Sequence, residues 1–67
     1  MPIDTVERIS PRLECLVDDY GLPNVLEALE VICEEKADFA RDNWQDYEME
    51  EGWRSAGEAI AQALATL

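Results

Sequence analysis

The sequence predicts an all-α fold, a small three-helix bundle made of a kinked N-terminal helix and an antiparallel helical hairpin. Three observations predict it. Apolar residues recur at three- and four-residue steps along most of the chain, the spacing that lines one face of a helix. Gly21 and Pro23, then Asn43-Trp44-Gln45-Asp46, punctuate that pattern. Hydrophobic residues make up 48% of the composition, enough at that spacing to argue against the disorder common in acidic chains. With 67 residues there is room for one domain, residues 1–67.

The first helix opens on Asp4-Thr5-Val6-Glu7, which has the form of a capping box. Ser10-Pro11 follows a turn and a half later and predicts a kink or a restart, with Ser10 as N-cap and Pro11 in the first position. Val6, Ile9, Leu13, Leu16 and Tyr20 form one apolar stripe, flanked by Val17. Gly21 stops the helix, with Leu22 expected to fold back on Val17 in a Schellman arrangement.

Pro23 is expected to open the second helix. Its apolar face runs through Val25, Leu26, Leu29, Ile32, Cys33, Phe39 and Ala40, interrupted by Lys36. The third helix carries Met49, Trp53, Ala56, Ile60, Ala63 and Leu67, a narrow coiled-coil-like seam. Gly52 and Gly57 weaken it by ~1 kcal/mol each, so tertiary packing must hold it. Ala56, Ala59 and Ala63 permit close helix approach. Between the two helices a short turn is expected, with Asn43 or Asp46 as N-cap; one long continuous helix is the alternative.

Composition excludes several functions. No histidine is present, which removes the commonest general base and metal ligand. Neither Ser10 and Ser55 nor Thr5 and Thr66 have a visible activating base, and a bundle this small leaves little volume for a pocket. No catalytic residue, cofactor or metal site is expected. Cys15 and Cys33 read as small buried hydrophobes, not as a bridge. The N-terminus lacks the form of a signal peptide, and no apolar run approaches the ~20 residues that span a bilayer. A cytoplasmic address and no membrane contact are therefore expected.

Sixteen acidic residues oppose five basic ones, for a net charge of −11. Direct binding to nucleic acid or anionic lipid is excluded, because both need Lys and Arg. Glu27, Glu30, Glu34, Asp38 and Asp42 follow at three- and four-residue steps and form one ridge facing away from the apolar stripe. Such a ridge is ordinarily a solvated face. Here it has few basic residues to mix with, and Asp18, Asp19 and Asp42 sit at helix C-termini, where the macrodipole disfavours them. Spaced carboxylates of this kind resemble the phosphates of a nucleic-acid strand and suit a basic groove. Mutual crowding is expected to raise carboxyl pKa values, so that mild acidification stabilises the fold.

Trp53 is expected in the core. Trp44 and Tyr47 flank the turn as candidate interface anchors, or else cap the open end of the bundle. The third-helix seam Met49, Trp53, Ala56, Ile60, Ala63 and Leu67 is longer than the first helix can cover, which predicts a homodimer through that helix.

At Glu35-Lys36-Ala37, at Asn43-Trp44-Gln45-Asp46, and at Trp53 with Ala56, Ala59 and Ile60, the chain resembles short uncharacterised helical proteins of phages, prophages and other mobile elements. The resemblance covers roughly the second and third helices. It implies a mobile-element context, where host-directed inhibitors are frequent, and by size and charge alone it is similar to anti-CRISPR proteins and other DNA mimics. The leading expectation is thus a non-enzymatic acidic inhibitor occupying the basic surface of a host nucleic-acid-handling protein. Glu27, Glu30, Glu34, Asp38 and Asp42 would make the contacts, with Trp44 and Tyr47 as anchors. The alternative is a homodimeric helical adaptor or structural module whose acids only solubilise it.

Overall fold

The structure, a computed structural model, describes residues 3–67, with side chains from Thr5 onward. The capping box expected at Asp4 rests on a side chain outside the described ones. The architecture is all-α with three helices, α1 (Ile3–Tyr20), α2 (Leu22–Phe39) and α3 (Tyr47–Ala65), as the apolar periodicity predicts.

α1 runs through Pro11 without a restart. Proline leaves the Glu7 carbonyl without its helical donor. Ser10 does not cap a new helix; its hydroxyl donates back to the Val6 carbonyl at 2.6 Å, the serine back-bonding that accompanies helix bending. The continuous apolar stripe on either side of Pro11 favours one helix over two.

One residue joins α1 to α2. Gly21 has φ 87° and ψ 150°, a region open essentially to glycine alone. Its N–H closes α1 on the Val17 carbonyl at 2.7 Å, and its own carbonyl accepts from Val25 at 3.2 Å to start α2. That single bond to Val17 stands in place of the expected Schellman pair, because ψ near 150° sends the chain outward at once. Leu22 accordingly lies exposed as the first residue of α2, with Pro23 second. Asn24 Nδ2 reaches back to the Tyr20 carbonyl at 2.7 Å and satisfies an orphan acceptor at the end of α1.

The turn after α2 is short, and the two helices are separate. Residues Ala40–Trp44 widen into one turn of π-helix. Gln45 adopts a left-handed conformation, φ 52° and ψ 34°, and both its N–H and that of Asp46 converge on the Ala40 carbonyl. Asp46 is the N-cap of α3, its carboxylate accepting from Met49 N at 3.0 Å. Asn43, the other candidate cap, serves α2 instead through a 3.3 Å bond from Nδ2 to the Phe39 carbonyl.

α2 and α3 pack antiparallel and form most of the tertiary structure. Their contact line is made of small residues: Cys33, Ala37 and Ala40 are buried on α2, and Gly57 on α3. A Cβ on Gly57 would come within 3.3 Å of the Cys33 Cβ, so glycine sets how closely the helices approach. Trp53, Ala56, Ile60, Ala61 and Leu64 flank that point half-buried, while Met49 and Ala63 are exposed and Leu67 lies beyond the helix end. α1 rests against α2 and makes no contact with α3 among the described residues. The whole is flat, 37 × 29 × 17 Å.

The two glycines of α3 therefore predict opposite results. Nothing lies within 4 Å of a Cβ on Gly52, so Gly52→Ala should gain the full helix-propensity difference of ~1 kcal/mol in urea unfolding. Gly57→Leu should separate α2 from α3 and lower the melting temperature, despite the same gain in propensity.

Candidate interaction surfaces

At about 100° per residue, α2 presents two unlike flanks on either side of its Cys33–Ala37–Ala40 line. On one lie Leu29, Ile32 and Phe39; on the other Glu27, Glu30, Glu34 and Asp38. Antiparallel α3 continues both. Met49 and Trp53 join Lys36, Phe39, Ala40 and Trp44 around a hollow of about 270 Å³ on the apolar side. Arg54, Glu58 and Ala61 join Glu30 and Glu34 around a furrow of about 200 Å³ on the acidic side.

The acidic side is not the bare ridge expected. Arg54 crosses from α3 to bind Asp38 at 2.9 Å and Glu50 at 2.8 Å. Arg41 pairs with Asp42 at 2.8 Å and approaches Asp38 at 3.5 Å and Glu50 at 3.8 Å. Glu50 is the most covered member, its side chain 16% exposed. These five residues clasp the turn end of the hairpin. Asp38 and Asp42 are thus neutralised: Arg41 lies beside Asp42 in sequence and three residues from Asp38, whereas the approach of Arg54 to Asp38 spans sixteen residues and is concealed by sequence separation. Glu30 is half-buried toward α3 and does not point outward. Glu27 and Glu34 are the exposed members of the ridge that lie outside the clasp.

At Asp42 the clasp works against the expected titration. The hydrogen bond from Arg41 holds the Asp42 carboxyl below its ordinary value, against the rise that crowding alone predicts. Arg54 and Arg41 are in turn held charged, Arg54 chiefly by its bonds to Glu50 and Asp38, Arg41 chiefly by its bond to Asp42.

The apolar side is where the structure departs furthest from a closed core. Leu13, Leu16 and Tyr20 of α1 face Val25, Leu29 and Ile32 of α2 across an open cleft of about 500 Å³. Val6, Ile9, Leu13, Leu16 and Tyr20, the whole α1 stripe, are exposed, as are Leu29, Ile32, Phe39 and Met49. Reasoning from periodicity assigns these residues to a core and misses them as a surface. The signal that finds them is the row Cys33, Ala37, Ala40 with Gly57: a contact line so small cannot take up the larger side chains.

Trp44 and Tyr47 are both exposed, at 60% and 64%. Trp44 meets the Phe39 ring edge-on, 5.3 Å between centroids and 84° between planes. Each residue of Asn43-Trp44-Gln45-Asp46 thus has a local task, in closing α2, extending its apolar flank, reversing the chain or starting α3. Cys33 is buried as expected, but Cys15 is exposed on α1, and the two are not bridged. Among the described residues no cluster of metal-ligating side chains occurs and no helix is long and apolar enough to cross a membrane. Compared with protein families, with curated proteins and with solved structures, the chain matches none.

Two measurements test the turn and its clasp. Removing the cap in Asp46→Ala should cost ~1 kcal/mol of unfolding free energy. A depressed carboxyl contributes stability that is present above its unfolded pKa and lost as pH falls through the folded one. Asp42→Asn should therefore lower stability at pH 7, with the difference from wild type shrinking as pH falls below the ordinary carboxylate range.

Proposed function

We propose that this chain is a non-enzymatic helical binding module that works by docking its apolar flank, the α1 stripe with the facing side of the hairpin, onto another protein surface. The observation that carries the reading is the open cleft between Leu13, Leu16 and Tyr20 on one wall and Val25, Leu29 and Ile32 on the other. Monomeric soluble proteins rarely leave so continuous an apolar face uncovered, and large exposed patches mark interaction sites. Trp44, Met49 and Phe39 prolong the face toward the turn, where aromatic side chains are favoured anchors. The acidic flank then acts chiefly as a solubilising coat that keeps the opposite side free of contacts.

A second reading has its own support. Glu27 and Glu34, exposed beside Glu30 and Glu58 on the flank away from the cleft, in a chain of net charge −11, suit the basic surface of a nucleic-acid-handling protein. This is the DNA-mimic inhibitor, and the resemblance to mobile-element proteins would place its target in a host cell. Asp38 and Asp42 contribute less to such a surface than their spacing suggests, since arginines already neutralise them.

Charge substitution on each flank separates the two readings. Asp38, Asp42 and Glu50 belong to the hairpin clasp, so the informative acid reversal is Glu27→Lys with Glu34→Lys. Its counterpart on the apolar side is Leu16→Glu with Leu29→Glu. Complexes recovered from the native host should survive the acid reversal and be lost with the apolar pair, with far-ultraviolet circular dichroism checking helicity in both. Loss only on acid reversal, with binding that weakens steeply as salt rises, would favour the mimic instead.

A further inference from the structure

The amount of surface left open is itself informative. A folded monomer of 7.6 kDa is expected to expose ~4,300 Å², whereas this chain exposes 5392 Å². The Cα radius of gyration is 13.6 Å, against ~11 Å for a compact chain of this length. The excess is roughly 1,100 Å² per chain, or roughly 2,200 Å² for a pair, which falls in the range of obligate homodimers.

We infer that the occupant of the cleft is a second copy of this chain, paired through a two-fold axis with the α1 stripe of each copy against the apolar flank of the other. This rests on the binding-module reading and names its partner. The surface has the two parts that an isologous contact needs. α1 offers a ridge, Val6, Ile9, Leu13 and Leu16, which no contact with α3 covers. The side of α2 and α3 bearing Ile32, Phe39 and Met49 offers a receiving face. One two-fold operation sets both ridges on both faces at once, a closed arrangement.

Charge distribution permits the pairing. The chain carries sixteen acids, yet among the described residues none lines the cleft between α1 and α2, and Glu35, beside Ile32 and Phe39 on the receiving face, has Lys36 next to it. Glu27, Glu34 and Glu58 lie on the opposite flank, so two copies can meet face to face with their strongest fields turned outward. The remaining repulsion between like-charged copies is screened by salt, with a Debye length of ~10 Å at 0.1 M. Self-association should therefore tighten as salt rises, the reverse of what docking on a basic partner would show.

The test is the mass of the purified full chain in solution, by light scattering and sedimentation equilibrium across a dilution series at low and high salt. The pairing predicts twice the formula mass of 7.6 kDa, a melting temperature that falls on dilution, and tighter association at high salt. Leu13→Glu with Ile32→Glu should weaken association by at least about a hundred-fold, while Glu27→Lys with Glu34→Lys should leave it intact or strengthen it. The dilution-dependent melting of the wild type needs no substitution, so an unfolded variant does not blunt the test. A monomer at every concentration that binds an apolar dye overturns self-pairing but leaves the module reading standing, with a different protein as occupant. A monomer that binds no dye overturns both, because α1 has then closed on its own hairpin.

Discussion

The close approach of α2 and α3 at Cys33 and Gly57 is the contact on which the rest of this molecule depends. Glycine on one helix and cysteine and alanines on the other let the backbones come together, and a Cβ on Gly57 would already crowd Cys33. Close approach has a geometric consequence. A contact line of small residues has no room between the axes for leucine, isoleucine or phenylalanine, so those side chains are displaced to the flank of the hairpin. No large side chain in the described chain is fully buried. The core is thin because the helices are near, and the apolar flank is wide for the same reason.

Two joints fix what that flank can meet. Gly21, in a conformation that side chains resist, turns α1 away after a single residue, and Asn24 holds the end of α1 through the Tyr20 carbonyl. α1 is thereby set against α2 alone and leaves the space beside α3 open. At the other end, Gln45 and the Asp46 cap reverse the chain within two residues, and the Arg41 and Arg54 cluster binds the last turns of α2 to the first turns of α3. The cluster is largely solvent-exposed, and exposed ion pairs stabilise weakly. Its larger effect is on register: Arg54 reaches Asp38 only when Gly57 stands opposite Cys33.

The division into an apolar and an acidic flank follows from these constraints and organises both functional readings. On the binding-module reading, acid on the face away from the cleft would act as a solubilising coat and direct association to the other side. The same arrangement would leave Glu27 and Glu34 available to a basic surface after the apolar flank is covered. Pairing and mimicry are therefore not exclusive in geometry; they use opposite sides of one hairpin.

The amino-acid sequence by itself determined the secondary structure and much of its punctuation. Three- and four-residue apolar spacing defines the helices, Gly21 and Pro23 end one and begin the next, and Asp46 caps the third, because each acts through its own backbone neighbourhood. The restart at Pro11 failed because serine has two local options, capping or back-bonding, and the uninterrupted stripe favoured the second. What only the tertiary structure decided was which apolar stripe is core and which is surface. Periodicity identifies a face but not what stands opposite it, and here the small row Cys33, Ala37 and Ala40 won the contact with α3 while the larger α1 stripe was left open. The carboxylate ridge divided for the same reason: equal spacing along α2 gives no indication of where Arg54 arrives from α3, sixteen residues away from Asp38 along the chain. Local chemistry is written in consecutive residues, whereas pairing across helices depends on how closely two backbones can approach.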